Sequence, residues 1–299
     1  MNYKVWFNGK IINWEEAKIH LLCHCLHYGS GVFEGIRAYQ TVDNRGAVFR
    51  LKDHIKRLFK SAKALKMKIP YSLSQIEKAI LQLLRKNKLK EAYIRPIAFF
   101  GGEKIGLYPK DVKVFVGILT VPFGKYLGEE GVKVKISSFI RFHPKSVVSE
   151  AKVCGYYVNS IFATTEAKQK GFDEALLLDW RGFVAEGPGE NIFIVKNKVL
   201  MTPKLNCILP GITRDTVIKL AKDMRIKVKE KDISLKELKN CDEAFFTGTA
   251  AEVTPIFQID RKKINKGREG EITRKIRETY EKVVRGEIKK YRFWLTYFD

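Results

Sequence analysis

The chain runs to 299 residues, of which 45% are hydrophobic, enough for about two domains with buried cores. No apolar run approaches the roughly 18 residues of a membrane-spanning helix, and the N-terminus lacks the apolar stretch and cleavage site of a secretory signal, so a cytoplasmic protein is expected. Lys and Arg number 56 against 33 Asp and Glu, a formal net charge of +23 that attracts nucleic acids, phosphates and dicarboxylates alike.

The basic residues are interleaved with acidic and apolar ones, without a basic block or an RNA-binding aromatic motif. They read as a solvated surface, and no specific nucleic-acid or membrane partner is expected. Residues 4–7 alternate, Asn8 and Gly9 form a hairpin turn, and residues 10–13 return. Cys23, His24, Cys25, Leu26 and His27 look like half of a metal cluster, but zinc sites pair two ligand couples and no second couple follows. A packed strand and turn, with no metal, is expected there. The five cysteines are odd in number and scattered, which argues against a disulfide framework. A strand is expected over 32–39 and another over 47–51, separated by the polar loop at Asp43, Asn44, Arg45 and Gly46. Ile55, Leu58, Phe59, Ala62 and Leu65 fall at helical spacing within 52–65. Ser72 and Gln75 form a capping box for a helix to about 87, and apolar strands follow over 92–100 and 112–121. Pro122, Phe123, Gly124 and Gly128 break the pattern. The limits drawn from it are a small domain over 1–121, an interdomain loop over 122–131 and a large domain over 132–299. The large domain opens with a strand over 132–140 and a helix over 156–170, stopped by Gly171. Strands and turns occupy 174–202, and Gly211, Ile212 and Thr213 lead into a helix ending near 224. Ser234 and Glu237 cap a short helix; strands over 243–247 and 253–259 precede a helix over 271–285. The class is α+β, mixed α/β in two domains.

Several segments break these local rules in ways that point to chemistry. Tyr93 and Arg95 share one face of an otherwise apolar strand, where the arginine must reach solvent or pair with an anion; a carboxylate receptor and a structural ion pair both satisfy it. Lys152 sits among Ala151, Val153, Cys154 and Gly155, a desolvating setting of the kind a Schiff-base lysine needs. Glu186, Gly187, Pro188, Gly189, Glu190 and Asn191 place carboxylates around a glycine-rich loop. That loop suits a flat ligand whose pyridine nitrogen needs a carboxylate partner, and it equally suits an ordinary bulged hairpin. Gly211, Ile212 and Thr213 at a helix start, and Gly248, Thr249, Ala250 and Ala251 after a strand, offer amides to a phosphate, with Arg57 as an added cation. The glycine pattern of dinucleotide-binding folds is absent.

Taken in order, these segments resemble the branched-chain amino-acid aminotransferases, a fold-type-IV, pyridoxal-phosphate-dependent family. The resemblance rests on Trp6 to Gly9; on His27, Tyr28, Gly29, Ser30, Gly31, Val32, Phe33, Glu34, Gly35, Ile36 and Arg37; on Tyr93 to Pro96; on the Glu186 loop; on Leu209 to Asp215; and on Gly248 to Pro255. It covers nearly the whole chain, as far as Trp294 and Leu295. It implies a two-domain fold with pyridoxal 5'-phosphate between the domains, the larger one binding it, and reversible amino transfer between L-leucine, L-isoleucine or L-valine and 2-oxoglutarate.

By the same resemblance Lys152 carries the cofactor as a Schiff base and shuttles the proton. Glu186 partners the pyridine nitrogen and Tyr157 the ring hydroxyl. Arg57, Ile212, Thr213 and Thr249 hold the phosphate. Tyr93 and the amides near Thr249 and Ala250 receive the α-carboxylate, and Arg95 the second carboxylate of glutamate. Phe33, Tyr126 and Tyr28 line an apolar pocket; Tyr28 and the loop Ile105, Gly106, Leu107 come from a neighbouring subunit, so a homodimer at least is implied. Three residues depart from the family: Tyr156 replaces an asparagine, Phe123 a tryptophan and Pro188 a small residue. The first two bear on the breadth of substrate choice. D-amino-acid aminotransferase and aminodeoxychorismate lyase share the lysine and the glutamate, but the Tyr93 and Gly248 segments resemble the branched-chain branch.

Overall fold

The computed structural model describes residues 3–124, 127 and 131–299. Its contacts divide it into two compact units: Met1–Gly124 with Ala151–Tyr156 and Val283–Asp299, and Lys125–Glu150 with Tyr157–Lys282. Among the described residues no helix is long and apolar enough to cross a membrane.

In the first unit, β1 (Lys4–Phe7) and β2 (Lys10–Asn13) form a hairpin. Its turn residues Asn8 and Gly9 have φ of 45° and 91°, the paired positive values of a two-residue primed turn. The segment expected as strand and turn is instead a short helix, α1 (His24–Tyr28). Its placement depends on partners outside it: the buried His24 ring is hydrogen-bonded to Ser30 Oγ at 2.7 Å and Gly106 O at 2.9 Å. The single strand expected over 32–39 is two, β3 (Gly31–Phe33) and β4 (Ile36–Gln40), because Glu34 turns inward to Arg57 and His54 of the helix at 51–64. There follow β5 (Gly46–Phe49), α2 (Leu51–Ala64), α3 (Leu73–Lys86), β6 (Ala92–Phe100) and β7 (Val114–Val121). The Ser72 capping box forms as its sequence predicts, with Ser72 Oγ accepting from Gln75 N and Gln75 Oε1 from Ser72 N. The C-terminal strand Leu295–Phe298 begins an antiparallel sheet that continues β5, β4, β6, β7, β1, β2, with β3 beside β6. Leu51, Ile55 and Leu58 of α2 and Ile76, Ile80 and Leu83 of α3 are buried with Ile36, Ile94 and Ile118 of the sheet, each contributing about 1.5–3 kcal/mol by leaving water.

The second unit contains β8 (Val132–Ile140), α4 (Tyr157–Gln169), β9 (Glu174–Leu178), β10 (Asn191–Lys196), β11 (Val199–Thr202), α5 (Ile212–Asp223), β12 (Val228–Glu230), α6 (Leu235–Lys239), β13 (Glu243–Gly248), β14 (Glu252–Ile259) and β15 (Lys262–Lys263). Helix α7 (Glu271–Val284) closes it. The sheet order is β12, β11, β10, β13, β14, β8, β9, with β15 beside β14. Strand β8 runs parallel to both neighbours, over a core that includes Val134, Ile192, Phe246 and Ile256. Strands β10 and β13 are antiparallel with Asn191 opposite Thr247. The start of β10 and the end of β13 therefore share one end of the sheet, where the loop 186–190 and the turn 249–251 also lie.

Candidate active site

In the first unit the backbone of Lys152 is fixed from two sides. Its N–H donates to Ser61 Oγ of α2 at 2.9 Å, its carbonyl accepts from Phe33 N at 3.1 Å, and Val153 bridges Val32. The side chain is thereby aimed along the Phe33 ring, with Nζ 4.8 Å from the ring centroid. The guanidinium of Arg95 lies 4.6 Å from the same centroid, so one buried apolar ring carries an amine and a guanidinium against it. Arg95 also donates to Tyr93 Oη at 2.9 Å, as the two-residue period of β6 predicts. Its Nε is buried and has no hydrogen-bond partner among the described residues, a donor suited to an incoming anion. Gly35 is what admits Tyr93: a Cβ there would stand 2.2 Å from the tyrosine oxygen. The Tyr93 ring packs at 4.8 Å against Phe123, and the buried Arg37 lies 5.6 Å over Phe123 and 4.9 Å over Tyr39. Sequence reasoning passed over Arg37, although the argument that singled out Arg95, a charge within an apolar strand, applies equally to it.

Arg57 is gripped at both ends of its fork by Glu34, Nε to Oε1 at 2.6 Å and Nη2 to Oε2 at 2.9 Å. His54 Nδ1 meets the same carboxylate at 2.8 Å. Glu34 is fully buried; burial pushes its carboxyl up, but the Arg57 charge and the hydrogen bonds from Arg57 and His54 outweigh this and hold it down to about 2. Glu34 thus orients Arg57 while compensating its charge. The Tyr28 ring lies against His24 at 4.6 Å and its hydroxyl accepts from Gly106 N at 3.1 Å. That bond ties α1 to the loop bearing the exposed Ile105, Leu107 and Tyr108. Tyr126 lies outside the described residues.

In the second unit Glu186 is buried and its carboxylate accepts from donors on separate elements. Arg141 Nε reaches Oε1 at 2.8 Å, while Asn191 Nδ2 and Leu209 N reach Oε2 at 3.2 and 3.1 Å. Arg141 is itself held by Asn159 and Ser160 of α4. The other carboxylate of the loop, Glu190, is spent on it: Oε2 accepts from Gly189 N at 3.0 Å. Asn191 connects Glu186 to the start of α5, because a Cβ on Gly211 would stand 1.9 Å from Asn191 Oδ1. Gly211 has no side chain with which to cap α5, so the amides of Ile212 and Thr213 and the positive helix end form a setting suited to a phosphate. Tyr157 opens α4 and is half-buried; Thr249 and Ala250 form the half-buried turn after β13. Beside them Thr247 Oγ1 is buried with no hydrogen-bond partner among the described residues. Within this unit, a carboxylate fixed by donors and a helix start without a capping side chain suit the ring nitrogen and the phosphate of pyridoxal phosphate; within the first unit, the positioned amine of Lys152 suits its aldehyde.

Residues 31–259 match the class IV amino-transferase family. The branched-chain-amino-acid aminotransferase of Pseudomonas aeruginosa is 47% identical over 296 residues, 98% of this chain and 96% of the relative. Among solved structures, the branched-chain aminotransferase of the archaeon Thermoproteus uzoniensis with norvaline superposes with a TM-score of 0.95 at 47% identity, over 99% of both chains. The branched-chain amino acid aminotransferase of Thermobaculum terrenum, in its PLP-bound holo form, gives 0.94 at 37% identity, covering 99% of this chain and 98% of the other.

Proposed function

The chain belongs to the class IV amino-transferase family, in its branched-chain-amino-acid branch, and we propose that it moves an amino group reversibly between L-leucine, L-isoleucine or L-valine and 2-oxoglutarate. The observation that carries this reading is the Phe33 ring with Lys152 Nζ on one approach and the Arg95 guanidinium on another. An enzyme that alternates between an apolar side chain and a carboxylate-bearing one needs an apolar wall with a cation at its edge. Bound pyridoxal phosphate supplies an aldehyde for condensation with amines and a protonated ring that draws electrons from the α-carbon.

The residues take the following parts. Lys152 holds the cofactor through its amine and, when released, carries the proton to and from the substrate α-carbon. Glu186 accepts the pyridine N–H, and Tyr157 hydrogen-bonds the ring hydroxyl. Arg57, the Ile212 and Thr213 amides and Thr249 take the phosphate. Tyr93, with the amides near Thr249 and Ala250, orients the α-carboxylate, and Arg95 receives the second carboxylate of 2-oxoglutarate. Tyr126 and Phe33 complete the apolar pocket. In a homodimer, Tyr28 and the loop around Gly106 serve the neighbouring subunit, a role supported by the exposure of Ile105 and Leu107. We place the enzyme in the cytoplasm, with residues 122–131 joining a small domain to the cofactor-binding one.

An absorbance titration tests the reading. The cofactor-loaded protein should lose its yellow absorption on addition of L-leucine and regain it with 2-oxoglutarate. A yellow protein unmoved by L-leucine but bleached by D-alanine would replace the substrate assignment with that of a D-amino-acid aminotransferase.

A further inference from the structure

We propose that Cys25 and Cys154 form a reversible disulfide, a redox modification site beside Lys152 that reacts with hydroperoxides. Cys23, Cys207 and Cys241 are buried, whereas Cys25 and Cys154 are both intermediate in exposure, which makes these two the more accessible. Their side chains converge on the space left by Gly31. A Cβ there would stand 2.9 Å from Cys25 Sγ and 3.0 Å from Cys154 Sγ, so both sulfurs border the same small space.

The backbone under the pair is already fastened. Gly29 N donates to Cys25 O at 2.9 Å, Gly155 N to Gly29 O at 3.0 Å, and Val32 bridges Val153. Closing the bond brings the sulfurs to about 2 Å across the space at Gly31, on a backbone held by these contacts. The electrostatics divide the labour. The adjacent Cys25 thiol, and then the charges of Arg95 and Lys152, push the Cys154 thiol down against its burial; Cys25 is pushed up by the adjacent Cys154 and by burial. Cys154 is thereby the more readily ionised of the two, and so the more nucleophilic. Burial pushes Cys207 and Cys241 up to about 12, which leaves them inert.

The chemistry balances with a hydroperoxide as the two-electron oxidant. Cys154 sulfur attacks the peroxide: an S–O bond forms, the O–O bond breaks, and the departing oxygen takes up a proton. Cys25 then gives up its proton and attacks Cys154 sulfur: the S–S bond forms, the S–O bond breaks, and water leaves. Two thiols lose two electrons and two protons, and hydrogen peroxide becomes two waters. The product ties α1, which carries Tyr28, to the segment that carries Lys152.

The test counts thiols in the full-length protein, denatured after brief exposure to a slight excess of hydrogen peroxide. Titratable thiols should fall from five to three, with a peptide map joining Cys25 to Cys154, and dithiothreitol should restore five. In Cys25→Ser, dimedone should trap a sulfenic acid on Cys154. An unchanged count, a cross-link between other cysteines, or over-oxidised Cys154 without a cross-link in the unsubstituted protein would overturn the proposal.

Discussion

Arg141 donates through Nε to Oε1 of Glu186 at 2.8 Å, with both side chains buried. Breaking a buried pair on one side costs about 3–5 kcal/mol, because the remaining charge is left without compensation. Arg141→Met should therefore lower the unfolding midpoint and weaken cofactor uptake. Adding Glu186→Gln should recover much of the stability but none of the transamination, since the ring nitrogen still lacks its carboxylate. Thermal unfolding and cofactor titration of the single and double variants separate the two effects. Recovery of activity in the double variant would show that Glu186 serves packing alone.

Gly211→Ala tests the link from Asn191 to α5. The φ of −67° suits alanine, so no backbone strain arises, but the new Cβ would stand 1.9 Å from Asn191 Oδ1. Asn191 must move, and Glu186 loses a donor. The expected result is about a tenfold weaker affinity for pyridoxal phosphate with an unfolding midpoint close to that of the parent, the loss being about one hydrogen bond. Parental affinity measured by equilibrium dialysis would contradict it.

Glu34 and His54 make the first unit acid-sensitive. Glu34 is held down to about 2 against an ordinary 4.5, and His54 is pushed below 6.5 chiefly by burial. Both folded-state values are depressed, so the unfolded chain takes up protons first. Stability is full above about 6.5 and falls as the pH drops, first through His54 and then, between 4.5 and about 2, through Glu34. The Glu34 interval corresponds to about 3 kcal/mol. Urea midpoints at about pH 7, 5 and 3 should decline more steeply below 4.5 in the parent than in Glu34→Gln. Parallel declines would place the acid sensitivity elsewhere.

Much of the architecture is legible in short stretches of sequence. Strand β6 begins and ends where its apolar pattern does, and the Ser72 and Ser234 caps are set by residues three positions away. What escaped depends on remote partners. Glu34 breaks the expected strand because of His54 and Arg57 on α2. Arg141 shows its importance only opposite Glu186, 45 residues on. The strand Leu295–Phe298 exists through its pairing with residues 46–49 at the far end of the chain. Of the candidate site residues, Tyr93 and Arg95 follow from strand periodicity. The roles of Lys152, Glu186, Tyr157 and the phosphate ligands came from the resemblance, because a single lysine or glycine turn looks like any other in sequence.

Arg95→Ala should distinguish the two substrate classes. The arginine offers its charge to a second carboxylate but only a flat apolar neighbour to leucine, so kcat/KM for 2-oxoglutarate should fall about a hundredfold or more and that for 4-methyl-2-oxopentanoate by much less. Equal losses would assign Arg95 to the packing of Phe33 and Tyr93.

Lys152, among all the lysines of this basic chain, is the one proposed to carry the cofactor. Borohydride reduction of the cofactor-loaded protein fixes pyridoxal phosphate to whichever amine holds it, and peptide mass mapping then locates the added group. A single phosphopyridoxyl label is expected, on Lys152, and none in Lys152→Ala. A label on another lysine, or an unlabelled yellow protein, would contradict it.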